Sequence, residues 1–157
     1  MSDFADNLIK GRIVETIFQQ MFLDTGKYNV FPFGYEQTLP QLAQRDHDSF
    51  IMELMKDIRH IPDFVVTPRV GDGVYLVEVK YEHTLNMERV TEVARELHGR
   101  WTCPWLFIAT QDKFYFDSCS NIADTGEIKD LDAENWVDSD VQNHYLNLLR
   151  KYIGALQ

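Results

Sequence analysis

The sequence predicts an α/β fold in which a central mixed sheet is flanked by helices. Three observations carry this expectation. Segments of helical period alternate with β-rich segments in the order α-β-α-β-β-α-β-β-α, which a sheet covered by helices satisfies. Two of the β-rich runs, DFVVTPR and VYLVEVK, flank the tight turn Gly71-Asp72-Gly73, as in an antiparallel hairpin. The 157 residues are 45% hydrophobic and include 10 Phe, 7 Tyr and 3 Trp, apolar bulk enough for a substantial core in one chain of single-domain size.

The elements follow in order. Over residues 3–24, Phe4, Leu8, Ile17, Phe18, Met21 and Phe22 recur at helical spacing, and Gly26 supplies the stop. Residues 28–35 are aromatic or β-branched and short, as a strand should be. A second helix fits 42–58 through Phe50, Ile51, Leu54, Met55 and Ile58, ending before Pro62. The hairpin strands are expected at 63–69 and 74–81. Asn86 caps a third helix at 87–98, with Val90, Val93, Ala94 and Leu97 as its apolar stripe and Gly99 as its end. Strands at 105–110 and 113–117 come next, and the aromatic alternation of the second suits core or dimer packing. A last helix is expected over 139–153, with Val141, Tyr145, Leu148, Leu149 and Tyr152 inward. No repeat or linker divides the chain, so residues 1–157 read as one domain, with a core at about 3–116 and an acidic segment plus helix at 117–157.

Net charge is −10, from 15 basic and 25 acidic side chains, which taken alone disfavours a protein that coats nucleic acid non-specifically. The excess is local: residues 117–140 hold eight acids against Lys129. That stretch is expected to form a solvated, loop-rich face, or a docking segment for a protein partner. Cys103 and Cys119 cannot build a disulfide framework and are expected to be reduced packing residues. The absence of a signal-peptide pattern and of a long apolar run predicts a cytoplasmic protein with no membrane partner. His47, His83, His98 and His144 share no metal-ligand spacing, and His60 is expected to cap or pack. Hydrolase-elbow, P-loop and dinucleotide motifs are missing.

The chemistry concentrates in the hairpin. Asp63 opens the first run, and Glu78 and Lys80 interrupt the apolar end of the second. Residues 78 and 80 share a face, because strand side chains alternate, while Val77 and Val79 take the other. With a two-residue turn at Asp72-Gly73, Thr67 lies across from Glu78 and Asp63 across from Glu82, which puts Asp63, Glu78 and Lys80 on one face. A three-residue loop at 71–73 would move Asp63 to the opposite face unless a bulge corrected it. Two converging carboxylates are hard oxygen ligands suited to Mg²⁺, and a neighbouring lysine can orient or help deprotonate an attacking water. Hydrolysis of a phosphodiester is the natural use. Glu15 joins them by helical geometry: it lies on the row Phe4, Leu8, Gly11, Glu15, Phe18, Phe22, with Gly11 leaving space one turn away.

Pro62-Asp63 followed by Glu78-Val79-Lys80, with fourteen residues between the two acids, resembles the PD-(D/E)XK nuclease superfamily, which includes restriction enzymes and Holliday-junction resolvases. The resemblance implies a restriction-endonuclease-like core of order αβββαβ, matched over about residues 3–109. It implies Asp63, Glu78 and Lys80 as catalytic residues. Glu15, Asp63, Glu78 and the backbone carbonyl of Val79 are implied as ligands of Mg²⁺, for which Mn²⁺ can substitute. It also implies DNA, branched DNA included, as substrate, and a homodimer. Relatives often carry a glutamine in the helix after the ExK strand, and no Gln occurs between Lys80 and Trp101. Lys10, Arg12, Arg89, Arg95 and Arg100 are the basic side chains within reach of a phosphate, although exposed arginines and lysines are more often simply solvated. Two alternatives stand beside this reading: a structural ion cluster of Lys80 with Glu78 or Asp63, and a catalytically silent module of the same fold that binds protein or nucleic acid.

Overall fold

A computed structural model describes residues 2–33 and 61–156. The helix expected at 42–58, the last two residues of the strand expected at 28–35, and His47 and His60 lie outside the described residues. The elements are α1 (Ser2–Asp24), β1 (Tyr28–Pro32), β2 (Phe64–Pro68), β3 (Tyr75–Tyr81), α2 (Met87–Arg100), β4 (Pro104–Ala109), β5 (Phe114–Ser118), α3 (Cys119–Thr125), a 3-10 turn (Leu131–Glu134) and α4 (Ser139–Gly154).

The architecture is α/β, with one open, mixed sheet of five strands in the order β1-β2-β3-β4-β5. Neighbours are antiparallel except β3 and β4, which run parallel because α2 carries the chain back between them. Alternation along the strands sorts the core into two layers. Phe64, Val66, Val77, Val79, Phe107 and Phe116 face α1 and α4, where they meet Phe18, Met21, Phe22 and Leu149. Leu106 and Ile108 face the other way, against Val90, Ala94 and Leu97 of α2 and Cys119 and Ile122 of α3. Phe18 sits at the centre of the first layer, its ring 4.9 Å from Phe107 and 5.3 Å from Phe64.

Several expectations are corrected. Phe4 and Leu8 lie on the expected buried stripe of α1 but are 80% and 46% exposed, and the fully buried stretch of this helix begins only at Val14. Gly99 does not end α2, which continues to Arg100 and closes where the Trp101 N–H donates to the Leu97 carbonyl at 2.9 Å. Asn86 caps the helix as expected, accepting from the Arg89 N–H. Segment 117–140 is not a simple solvated face. It holds α3 and the 3-10 turn, buries Ile122, Leu131 and Val137, and opens on the buried Asp117. It also covers the outer edge of β5, through a bridge between Tyr115 and Asp130 and the Phe116 N–H donating to the Lys129 carbonyl at 2.9 Å. Cys119 packs as expected, whereas Cys103 is exposed. No described helix is long and apolar enough to cross a membrane.

Candidate active site

The site begins where the β2–β3 ladder stops. The register pairs Phe64 with Val77, so stepping outward sets Asp63 opposite Glu78 and Pro62 opposite Val79. Pro62 has no N–H to donate to Val79, and the ladder cannot continue. The Val79 N–H turns to the Asp63 side chain, whose Oδ2 accepts it at 2.8 Å, while the Asp63 backbone carbonyl accepts the Phe33 N–H at 2.7 Å. Asp63 is thus held between β1 and β3. Its partner differs from expectation. Asp63 faces Glu78 and not Glu82, because the last β2–β3 pair is Val66 with Tyr75, and the eight residues between them exceed a two-residue turn. The two registers have the same parity, so Asp63, Glu78 and Lys80 still share one face of the sheet.

Glu15 approaches from α1. Its half-buried side chain lies 3.8 Å from the Arg12 guanidinium and within hydrogen-bonding reach of Asp63. Among the described residues, a Cβ on Gly11, one turn earlier, would meet nothing within 4 Å. Three carboxyl groups therefore connect through Asp63. Part of the Asp63 residue meets solvent, yet its carboxyl is closely surrounded. Burial foremost, then the charge of Glu78 and the hydrogen bond shared with it, hold the Asp63 carboxyl well above the usual carboxylate range, against the opposing pull of the Val79 N–H and Glu15.

That set of donors fits a hard divalent cation. Mg²⁺ takes carboxylate oxygens and relieves the repulsion that otherwise demands a proton. Among the described residues, no three His, Cys, Asp or Glu side chains already converge as a closed metal cage. Glu15 and Glu78 instead reach Asp63 individually. The Val79 carbonyl points to the same strand edge as its N–H, beyond the end of the ladder.

Lys80 stands two residues past Glu78 on the same face, half-buried, opposite Ile108 of β4. Among the described residues it forms no ion pair with Asp63 or Glu78. Cys119, packed beneath this face, has its thiol pushed up to about 12 by burial and by the charges of Glu78 and Asp117, and is inert as a nucleophile.

Sequence reasoning missed one member of the row. Glu82 continues the alternation of Glu78 and Lys80, and its N–H donates to the Ala109 carbonyl at 3.0 Å, extending the β3–β4 ladder. Its carboxylate binds the Arg89 guanidinium at 3.3 Å. The period-two spacing of residues 78, 80 and 82 was the available signal. Beside this pair the segment 82–89 lines an open groove of about 730 Å³. No family model and no curated protein matches this chain.

Proposed function

We propose that the chain is a Mg²⁺-dependent nuclease that hydrolyses DNA phosphodiesters on a restriction-endonuclease-like αβββαβ core. The observation that carries this reading is the Asp63 carboxyl bracketed by Glu78 and Glu15, with Lys80 on the same strand face and outside any ion pair among the described residues. Asp63, Glu78, Glu15 and the Val79 carbonyl would hold the cation. Mg²⁺, when bound, supplies positive charge that offsets the carboxylates and the charge developing on the phosphodiester. Lys80 would orient the attacking water and help take its proton, while the Val79 N–H holds the Asp63 carboxyl opposite Glu78 on the same face. The exposed Leu8, Ile9 and Tyr152 line a groove of about 640 Å³ between α1 and α4, apolar surface that supports a homodimer.

The test is cleavage of plasmid, branched DNA and RNA in Mg²⁺ and in Mn²⁺, beside calorimetric Mg²⁺ titration. Wild type is expected to bind Mg²⁺ and cut DNA. Asp63→Ala and Glu78→Ala lose both, and Lys80→Ala keeps metal binding while cutting slows by roughly 10²–10⁴-fold. A wild type that takes up no metal and cuts nothing would overturn the reading. The net charge of −10 favours a second reading, a catalytically silent module of this fold that acts through a protein or nucleic-acid partner, since affinity for polyanions comes mainly from lysine and arginine.

A further inference from the structure

Glu78, Lys80 and Glu82 project from one side of β3 and its extension at intervals of about 7 Å. The first two belong to the candidate active site. Glu82 lies on the side of Lys80 away from Glu78, where β3 gives way to the segment leading into α2, and its side chain is only 12% exposed. Arg89, in the first turn of α2, contacts Glu82 Oε2 through Nη1 at 3.3 Å and is 61% exposed. The buried carboxylate fixes one edge of the guanidinium, and most of its other N–H donors are left toward solvent and the groove lined by Glu82, Thr84, Asn86 and Arg89. Asn86 accepts the Arg89 backbone N–H at 3.2 Å, so the main chain beneath the arginine is fixed as well.

An ion pair with so exposed a cation adds little stability. A guanidinium held from behind by a buried carboxylate is instead ordered in advance for an anion in front, and its planar fork matches two oxygens of a phosphate. We propose that Arg89, clamped by Glu82, binds a backbone phosphate of a nucleic-acid strand next to the phosphodiester that lies at Lys80. The assignment rests on the nuclease reading for its location on the substrate, but its binding role is measurable without cleavage.

The experiment is fluorescence anisotropy of end-labelled duplex DNA, single-stranded DNA and RNA, titrated with full-length protein carrying Lys80→Ala over a range of KCl. Arg89→Gln is expected to weaken binding roughly tenfold and to lower the slope of log affinity against log salt by about one. Arg89→Lys restores the slope. Because loss of Arg89 strands the Glu82 carboxylate, the double variant Glu82→Gln/Arg89→Gln is run beside it and should match the single variant's loss. The probe that responds identifies the strand chemistry. Unchanged affinity and slope in both Arg89→Gln proteins, with wild type still cutting, overturns the clamp and leaves the nuclease reading intact. A wild type that cuts nothing while the Arg89 effect on binding persists overturns the nuclease reading and keeps the phosphate contact. Failure to bind any of the three probes overturns the clamp, and with a wild type that also cuts nothing it overturns both.

Discussion

The Val79 backbone N–H donates to Asp63 Oδ2 at 2.8 Å, so a side chain takes the strand-edge donor just beyond the last β2–β3 pair, Phe64 with Val77. This bond fixes the carboxyl opposite Glu78, where two acids share a closely packed edge. The consequence is electrostatic: nothing in this arrangement welcomes the ionised form of Asp63 except that N–H and Glu15.

Metal-free stability should therefore depend on pH with a definite sign. The Asp63 pKa is raised on folding from 3.8, so the folded protein binds more protons than the unfolded chain above that value. Its contribution is fully present below the unfolded pKa and is lost as pH rises through the folded one. Thermal unfolding in chelator from pH 4 to pH 8 is expected to show this loss, and Asp63→Asn, which cannot ionise, should flatten it. At the upper end of that range the variant's midpoint should exceed wild type by roughly 2–4 °C. Parallel pH profiles for the two proteins would mean that the carboxyl ionises without penalty.

The acids of 117–140 should divide into two classes. Asp117 is 3% exposed and accepts from the Ser118 N–H at 2.8 Å, Asn121 Nδ2 at 2.6 Å and the Lys129 N–H at 3.2 Å, tying β5 to α3 and to the strip along its edge. Asp117→Ala leaves two backbone donors without this acceptor and is expected to cost about 2–4 kcal/mol in urea unfolding. Asp124→Asn, at an exposed position, should stay within about 0.5 kcal/mol of wild type. Equal effects would put Asp117 back among the solvated acids.

Which features the sequence made legible follows from what each depends on. The hairpin, the α2 cap at Asn86 and the shared face of Glu78 and Lys80 are local, set by turn residues and alternation within a few positions. The pairing of Asp63 with Glu78 depends on the length of the 67–74 connection, which a Gly-Asp-Gly string does not fix, and only the parity of the register survived. The exposure of Phe4 and Leu8 depends on where the sheet and α4 end beneath α1, a tertiary fact invisible to helical periodicity. Asp117 misled for a different reason: composition marks a run of acids as wet, but donors from Ser118, Asn121 and Lys129 hold this one inside.

Tyr145 and Asp24 provide the last test. The Tyr145 hydroxyl donates to Asp24 Oδ2, joining α4 to the final residue of α1. A carboxylate is unfavourable at a helix C-terminus, and the last turn of α1 has no basic residue to offset it. The hydroxyl supplies that compensation. Tyr145→Phe is expected to destabilise by about 1.5–3 kcal/mol, the range for a hydrogen bond to a charged group. In the Asp24→Asn background the same substitution should cost less, a positive coupling in a double-mutant cycle. The pH dependence provides a second readout. Burial, followed by Asp24, raises the Tyr145 pKa from 10.0 to about 12, so its contribution is complete below the unfolded value and disappears as pH climbs through the folded one. Between those limits the stability of wild type should fall more steeply than that of Tyr145→Phe, and additive mutations with superimposable alkaline profiles would show that the contact carries no coupling.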